Sequence, residues 1–280
     1  MLAERHGFEA LWASGLGISA AHGVPDASIA TMTEFLQAAQ VMDRATDLPV
    51  VADCDTGFGD VNILTHMVRM YEQAGVAAVC IEDKLFPKRN SFTHGQALED
   101  MHAFATKVYS AVEARSSADF MVLARIESFI AGQGLDDALR RADLYAEAGA
   151  DALVIHSKHS KPNEVQEFIR EHQASKDREL PIFVIPTTFP SVTVAELKAM
   201  GCAAVIYANQ ALRASMFAMD QILKRIARDG TSARVEGEIA SLADVLSLIG
   251  IDDVNRRDAW FLREVERRRQ AEKPETMSLS

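Results

Sequence analysis

Along the chain, short apolar runs alternate with longer stretches in which apolar positions recur every three or four residues. The runs are Ala10–Ala13, Pro49–Asp53, Ala77–Ile81, Phe120–Arg125, Ala152–His156, Ile182–Pro186 and Ala203–Ala208. Each is short and bounded by turn-forming residues, so each predicts a strand. The amphipathic stretches Ile63–Ala74, Met101–Ala114, Leu135–Ala148, Pro162–Ala174 and Val194–Met200 predict helices, with Met67 and Met70 read as core. Strands separated by helices build βαβ units around a parallel sheet. After Leu212 the pattern turns helical over Leu212–Arg228, Ser241–Leu248 and Val254–Ala271, and the charged tail from Leu262 is expected to fray.

A weak internal echo supports this reading. His6-Gly7-Phe8-Glu9-Ala10-Leu11, Ala74-Gly75-Val76-Ala77-Ala78-Val79, Ala148-Gly149-Ala150-Asp151-Ala152-Leu153 and Met200-Gly201-Cys202-Ala203-Ala204-Val205 share one form. Each is a helix end, a Gly suited to the left-handed position after it, and a strand entered within a few residues. The expected fold is therefore an α/β barrel of the (β/α)8 type over residues 1–212, with a C-terminal helical segment over 213–280. A closed barrel takes eight strands, and seven are counted. Only a helix end precedes the first run, so a leading βα unit is expected to be missing, and an in-frame start upstream of Met1 is expected to encode it.

Composition narrows the function. The chain is 48% apolar, which leaves ample material for a core. Acidic residues outnumber basic ones by 40 to 29, a net charge of −11. That argues against a nucleic-acid binder or a protein of anionic membrane surfaces. A small anionic substrate stays open, because a metal or a local Arg/Lys cluster reverses the sign within one cleft. Cys54, Cys80 and Cys202 have no paired spacing and read as reduced thiols used for packing, Cys54 facing away from its two Asp neighbours. With no signal core at the start and no apolar window of membrane-spanning length, a cytoplasmic protein is expected.

The polar residues fall at the carboxyl ends of the predicted strands: Ser14, Asp53 and Asp55, Glu82 and Asp83, Arg125 and Glu127, His156 and Ser157, Thr187, and Asn209. In barrel enzymes the chemistry gathers on that face. Asp53 and Asp55 are two apart, so an extended chain would point both the same way, towards Glu82 of the next strand. Three facing carboxylates suit a hard divalent cation, Mg²⁺ or Mn²⁺, completed by waters. The alternative is a capped loop with solvated carboxylates. Arg125 would clamp an anionic group, or else pair with Glu127. His156 could donate to an anion, or be a satisfied core residue. The loop Asp83–Gly95, carrying Lys84, Lys88, Arg89 and Asn90, has the character of a lid that brings positive charge over a substrate, or of a solvated surface loop.

Glu82-Asp83-Lys84-Leu85-Phe86-Pro87-Lys88-Arg89-Asn90 resembles the EDK-x5-N signature of phosphoenolpyruvate mutases, within the isocitrate lyase/phosphoenolpyruvate mutase superfamily. The resemblance continues through Trp12-Ala13-Ser14-Gly15-Leu16, Gly23-Val24-Pro25-Asp26, Asp53-Cys54-Asp55-Thr56-Gly57-Phe58-Gly59, Ala124-Arg125-Ile126-Glu127, Ala150–Ser157, Ile185-Pro186-Thr187 and Tyr207-Ala208-Asn209. It implies a barrel whose last helix swaps onto a partner subunit in a homodimer or homotetramer. It implies Mg²⁺ on Asp53, with Asp55 and Glu82 holding its waters. Trp12, Ser14, Gly15 and Leu16 would bind the carboxylate end of the substrate, and Arg125, His156 and Asn90 its phosphoryl group. Lys88 would sit in the mobile loop and Asp26 beside the reacting centre. The implied reaction interconverts phosphoenolpyruvate and 3-phosphonopyruvate.

Two departures keep alternatives in view. Pro25 before Asp26 is closer to the phosphonopyruvate hydrolases, whereas Asn90 follows the mutase pattern. No Cys stands in the Glu82–Lys88 stretch, which disfavours the carbon–carbon lyases. A chain short of one βα unit could also be a non-catalytic, truncated member.

Overall fold

The computed structural model describes residues 1–174 and 180–271. Seven strands form one sheet, β1 (Leu11–Ala13), β2 (Val50–Asp53), β3 (Ala78–Glu82), β4 (Met121–Ile126), β5 (Ala152–Ile155), β6 (Ile182–Val184) and β7 (Ala204–Val205). They lie in sequence order and every neighbouring pair is parallel. This is the (β/α) barrel topology short of one βα unit, as the strand count predicts, and among the described residues β1 and β7 are not paired with each other.

Among the described residues twelve α-helices accompany the strands. They are α1 (Leu2–Arg5), α2 (Gly15–Ala21), α3 (Met32–Arg44), α4 (Val61–Gln73), α5 (Met101–Ala114), α6 (Ser128–Ala131), α7 (Leu135–Glu147), α8 (Asn163–Ala174), α9 (Val194–Ala199), α10 (Gln210–Asp229), α11 (Leu242–Leu248) and α12 (Ile251–Ala271). β1 is followed by α2 and then α3, which is started by a capping box in which Thr31 Oγ1 accepts from the Glu34 amide and the Glu34 carboxylate accepts from the Thr31 amide. At the four helix-to-strand joints the glycines take positive φ, 88° at Gly75 and 100° at Gly201 for instance, so the repeated glycine marks a left-handed turn. Leu262–Ala271 continues α12 rather than fraying; the rest of the tail lies outside the described residues.

Both sheet faces are buried, as expected of a parallel sheet. Val79, Ile81, Val122, Ala124, Leu153 and Ile155 pack outward against helices. Ala78, Cys80, Leu123, Ala152, Val154, Ile185 and Ile206 pack inward on one another. Met67 and Cys54 are fully buried in the outer core, with Met70 partly buried against it, and Cys80 is in the inner core. The chain divides into two compact units, Met1–Ala214 with all seven strands, and the helices from Ser215 on. No helix among the described residues is long and apolar enough to cross a membrane.

Candidate active site

Strand alternation decides which side chains reach the interior. Residues 78 and 80 of β3 face inward, so Glu82 does too; by the same parity Leu123 leads to Arg125, and Ala152 and Val154 lead to His156. Val51 packs against the inner cluster, and Asp53 follows it. Charged and polar groups thus collect at the carboxyl ends of the strands, with Glu82 in register beside Arg125. Asp83 has the opposite parity and leaves the site. It accepts from Arg141 Nη1 at 3.1 Å and Tyr145 OH at 2.8 Å, and burial lifts it to about 6 despite the pull of Arg141.

Asp53 and Asp55 do converge, but not because the chain is extended. Asp55 lies past the end of β2 with φ of 50°, so a turn brings the two carboxylates together. They close on Gly15, where a Cβ would stand 3.0 Å from Asp55 Oδ1 and 3.3 Å from Asp53 Oδ2. The Gly15 amide donates to Asp53 Oδ2 at 3.2 Å, and so serves the acidic cluster in this structure. Ser14 Oγ caps α2 by accepting from the Gly17 amide. Both aspartates are buried, which overturns a reading of solvated loop carboxylates. Burial, reinforced by Asp53 and Glu82 and opposed by Lys88, lifts Asp55 to about 7.

The loop after β3 folds over this cluster. Lys88 Nζ lies 2.7 Å from Asp26 Oδ1 and 2.8 Å from Asp55 Oδ1. Burial lowers the Lys88 pKa, but Glu82, Asp55, Asp53 and Asp26 outweigh it and hold the ammonium firmly charged. Asn90 Nδ2 donates to Asp26 Oδ2 at 2.7 Å. Phe92 sets its ring edge against His156, with centroids 5.9 Å apart. Lys84 has a different role from the lid cation expected of it. It is almost fully buried and ties the loop down, donating to the Arg89 carbonyl and Ser91 Oγ and pairing with Glu127 Oε2 at 3.0 Å. Arg89 points away, towards the His94 carbonyl.

Glu127 is the hub opposite. Its Oε1 accepts from Arg125 Nε at 2.6 Å and its Oε2 from Ser91 Oγ at 2.8 Å. Burial raises its pKa, but Arg125, Lys84 and His156 more than offset that, and it stays well below the carboxylate range. His156 is pushed down by burial and is neutral near pH 7. Arg125 thus makes the ion pair weighed for it and also lines the pocket.

One cleft is lined by Trp12, Ser14, Leu16, Asp26, Asp53, Glu82, Lys88, Asn90, Arg125 and His156, so nearly all the residues singled out in the sequence meet. Ser91, Phe92, Ile185, Thr187, Ala208 and Asn209 complete it. Ser91 and Phe92 carried no sequence signal, because their places depend on how the loop folds back. Among the described residues no three His, Cys, Asp or Glu side chains form a ready cage for a metal. The donor set nonetheless fits a hard divalent ion. Among the described residues Asp26, Asp53, Asp55, Glu82 and Glu127 face Lys84, Lys88 and Arg125 as cations, an excess of two negative charges once every carboxylate is ionised. Glu82 Oε1 is buried with no hydrogen-bond partner among the described residues, and Lys84 Nζ pairs with it only from 3.6 Å.

A barrel with buried carboxylates and a cationic loop at its strand ends is the framework of a metal-assisted enzyme for small anions. Residues 1–227 match the family model described as phosphoenolpyruvate phosphomutase, and the chain belongs to this family within the phosphoenolpyruvate mutase/isocitrate lyase superfamily. It is 39% identical over 263 residues to the phosphoenolpyruvate phosphomutase of Tetrahymena pyriformis, covering 93% of this chain and 86% of that one. It is similar to the crystal structure of phosphoenolpyruvate phosphomutase from Streptomyces platensis subsp. rosaceus, with a TM-score of 0.89, 48% identity, and coverage of 93% and 90%. A phosphonopyruvate hydrolase solved with oxalate and Mg²⁺ gives a TM-score of 0.86 at 37% identity, covering 93% of this chain and 89% of that one.

Proposed function

We propose that this chain is an Mg²⁺-dependent phosphoenolpyruvate phosphomutase that interconverts phosphoenolpyruvate and 3-phosphonopyruvate. The observation that carries it is the placement of Asn90, which the loop after β3 delivers into the cleft against Asp26. An Asn at this point gives the phosphoryl group a neutral N–H donor that does not activate water as a base. The Mg²⁺ held by the related hydrolase supports the choice of metal, which Asp53, Asp55 and Glu82 would hold. Bound there, it would supply positive charge opposite the carboxylate and enolate oxygens of the substrate.

The residues of the chain divide the remaining work. Ser14 and the backbone at Gly15 and Leu16 orient the carboxylate end. Arg125, His156 and Asn90 face the phosphoryl oxygens, where negative charge is spread in a loose transition state. In the direction of phosphoenolpyruvate, the carbon–phosphorus bond breaks and an oxygen–phosphorus bond forms within one substrate, so no proton is gained or lost. Water must stay out, because it would capture the phosphoryl group. Lys88 and Phe92 close the loop over the cleft to that end. Asp26, tied to Lys88 and Asn90, faces the position through which the group passes.

The Pro25–Asp26 pair favours one second reading, phosphonopyruvate hydrolysis. Coupled detection of pyruvate separates the two. With phosphonopyruvate and Mg²⁺, substrate is consumed faster than pyruvate appears if this is a mutase. Pyruvate formed in step with substrate loss makes it a hydrolase.

A further inference from the structure

We propose that Glu127 is a positioning residue that aims Arg125 at His156 and thereby fixes His156 as the neutral tautomer with its proton on Nε2. The inference deepens the function proposed above, since the Nε2–H becomes a donor for the anionic group of the substrate. The argument is an accounting of donors and acceptors in a buried cluster.

His156 Nδ1 stands 3.0 Å from Arg125 Nη2 and 3.1 Å from Glu127 Oε1. A single ring nitrogen cannot accept from the first and donate to the second at once. Glu127 already has its donors, Arg125 Nε on one oxygen, and Lys84 Nζ with the Ser91 hydroxyl on the other. Arg125 Nη2 is in a different position. Its other near partner is Ser91 Oγ at a long 3.4 Å, and that hydroxyl already donates to Glu127 and accepts from Lys84. A guanidinium can only donate, so a proton on Nδ1 would set N–H against N–H at 3.0 Å in a buried site. Nδ1 is therefore the acceptor, and the proton sits on Nε2. His156 Nε2 is buried, has no hydrogen-bond partner among the described residues, and belongs to a ring that lines the cleft.

Glu127 is what makes this possible. It draws Arg125 Nε to 2.6 Å, whereas Glu82 Oε2 competes for the same nitrogen from 3.5 Å. Without an acceptor at residue 127, the guanidinium would turn towards Glu82, and Nδ1 would lose its donor.

The test is nitrogen-15 NMR of the full-length protein labelled at histidine, with the His156 signals assigned by their loss in His156→Gln. The wild type is expected to show an unprotonated Nδ1 and a protonated Nε2. Glu127→Gln keeps an acceptor for Arg125 Nε and is expected to keep that signature; Glu127→Leu removes it and is expected to give a mixture of tautomers. A wild type with its proton on Nδ1, or a Glu127→Leu protein with the wild-type signature, would overturn the proposal. Should Glu127→Leu not fold, the wild-type and Glu127→Gln spectra decide, and a proton on Nδ1 in either overturns the proposal. Because this readout needs no turnover, its failure is distinct from failure of the proposed reaction. In turnover of phosphonopyruvate, His156→Gln, whose amide lies near the place of Nε2, is expected to keep at least tenfold more kcat/KM than His156→Asn; equal losses contradict the Nε2–H donor.

Discussion

At the scale of the residue, the site is a balance of buried charge. Asn90 is neutral and donates to Asp26, not to Asp53, Asp55 or Glu82, the carboxylates proposed to hold the metal. Asn90→Ala is expected to lower kcat by about two to three orders of magnitude, the cost of losing one transition-state donor, while Mg²⁺ affinity by calorimetry stays within about twofold. Asp55 supplies a second test. Its pKa is lifted from 3.8 to about 7 by burial, so in the absence of metal the folded chain retains a proton that the unfolded chain has lost. That group's contribution to stability therefore falls as pH rises through this window. Metal takes the ionised carboxylate, so Mg²⁺ affinity is expected to rise up to about tenfold per pH unit below about pH 7 and to level off above it. Calorimetric titrations across that range check the slope; an affinity independent of pH contradicts the assignment.

Much of this residue-level picture was legible in sequence because strand parity is a strict rule. Glu82, Arg125 and His156 follow inward-facing neighbours by steps of two. The rule stops where strands stop. Asp53 and Asp55 meet through a turn with positive φ, and Gly15 matters through the Cβ it lacks, neither of which spacing reveals. Lys84 looked like its neighbours in a basic loop, and only the folded loop shows it buried beneath Arg89 and Ser91 as a structural anchor.

At the scale of the element, hydrophobic pattern located all seven strands and most helices, with errors at their ends. β7 shrinks from the predicted Ala203–Ala208 to Ala204–Val205 because it has a neighbour on one side only, so its pairing ends early. The helices α2 and α3 were not read from sequence. α2 is seven residues long, with a glycine at its start and another inside, and it carries little periodic signal. α3 announces itself by the Thr31–Glu34 capping box, a local signal that a search for apolar runs passes over. The repeated glycine joint gives a test at this scale. Gly149 has φ of 90°, and an added Cβ would meet Val112 only at ordinary contact distance, 3.5 Å. Gly149→Ala is therefore expected to cost about 1–2 kcal/mol from backbone strain alone, read as a lower urea midpoint with unchanged slope. No change in midpoint would contradict the left-handed joint.

At the scale of the whole molecule, two features lie beyond a single strand or helix. The first is the helical unit from Ser215 on. Met216, Met219 and Leu223 form an exposed stripe on α10, and Trp260, Phe261 and Leu262 are exposed on α12. Apolar surface of this extent suits a subunit contact, and light scattering is expected to give a homodimer or homotetramer. Glutamate at Met219 and Leu223 should shift it to smaller species, and a monomeric wild type would contradict this reading. The second is the pairing of a strongly acidic chain with an anionic substrate. The net charge of −11 argued only against extended anionic partners. Inside the cleft the excess of two negative charges, with every carboxylate ionised, suits a divalent ion, and the proposed function has Arg125, Lys88 and Asn90 facing the substrate. The reaction itself is tested most directly by phosphorus-31 NMR of the purified protein with phosphonopyruvate and Mg²⁺. The phosphonate resonance should give way to that of phosphoenolpyruvate, and chelation of the metal should stop the conversion. Orthophosphate appearing without phosphoenolpyruvate, or a metal-loaded protein that leaves phosphonopyruvate unchanged, would contradict the account.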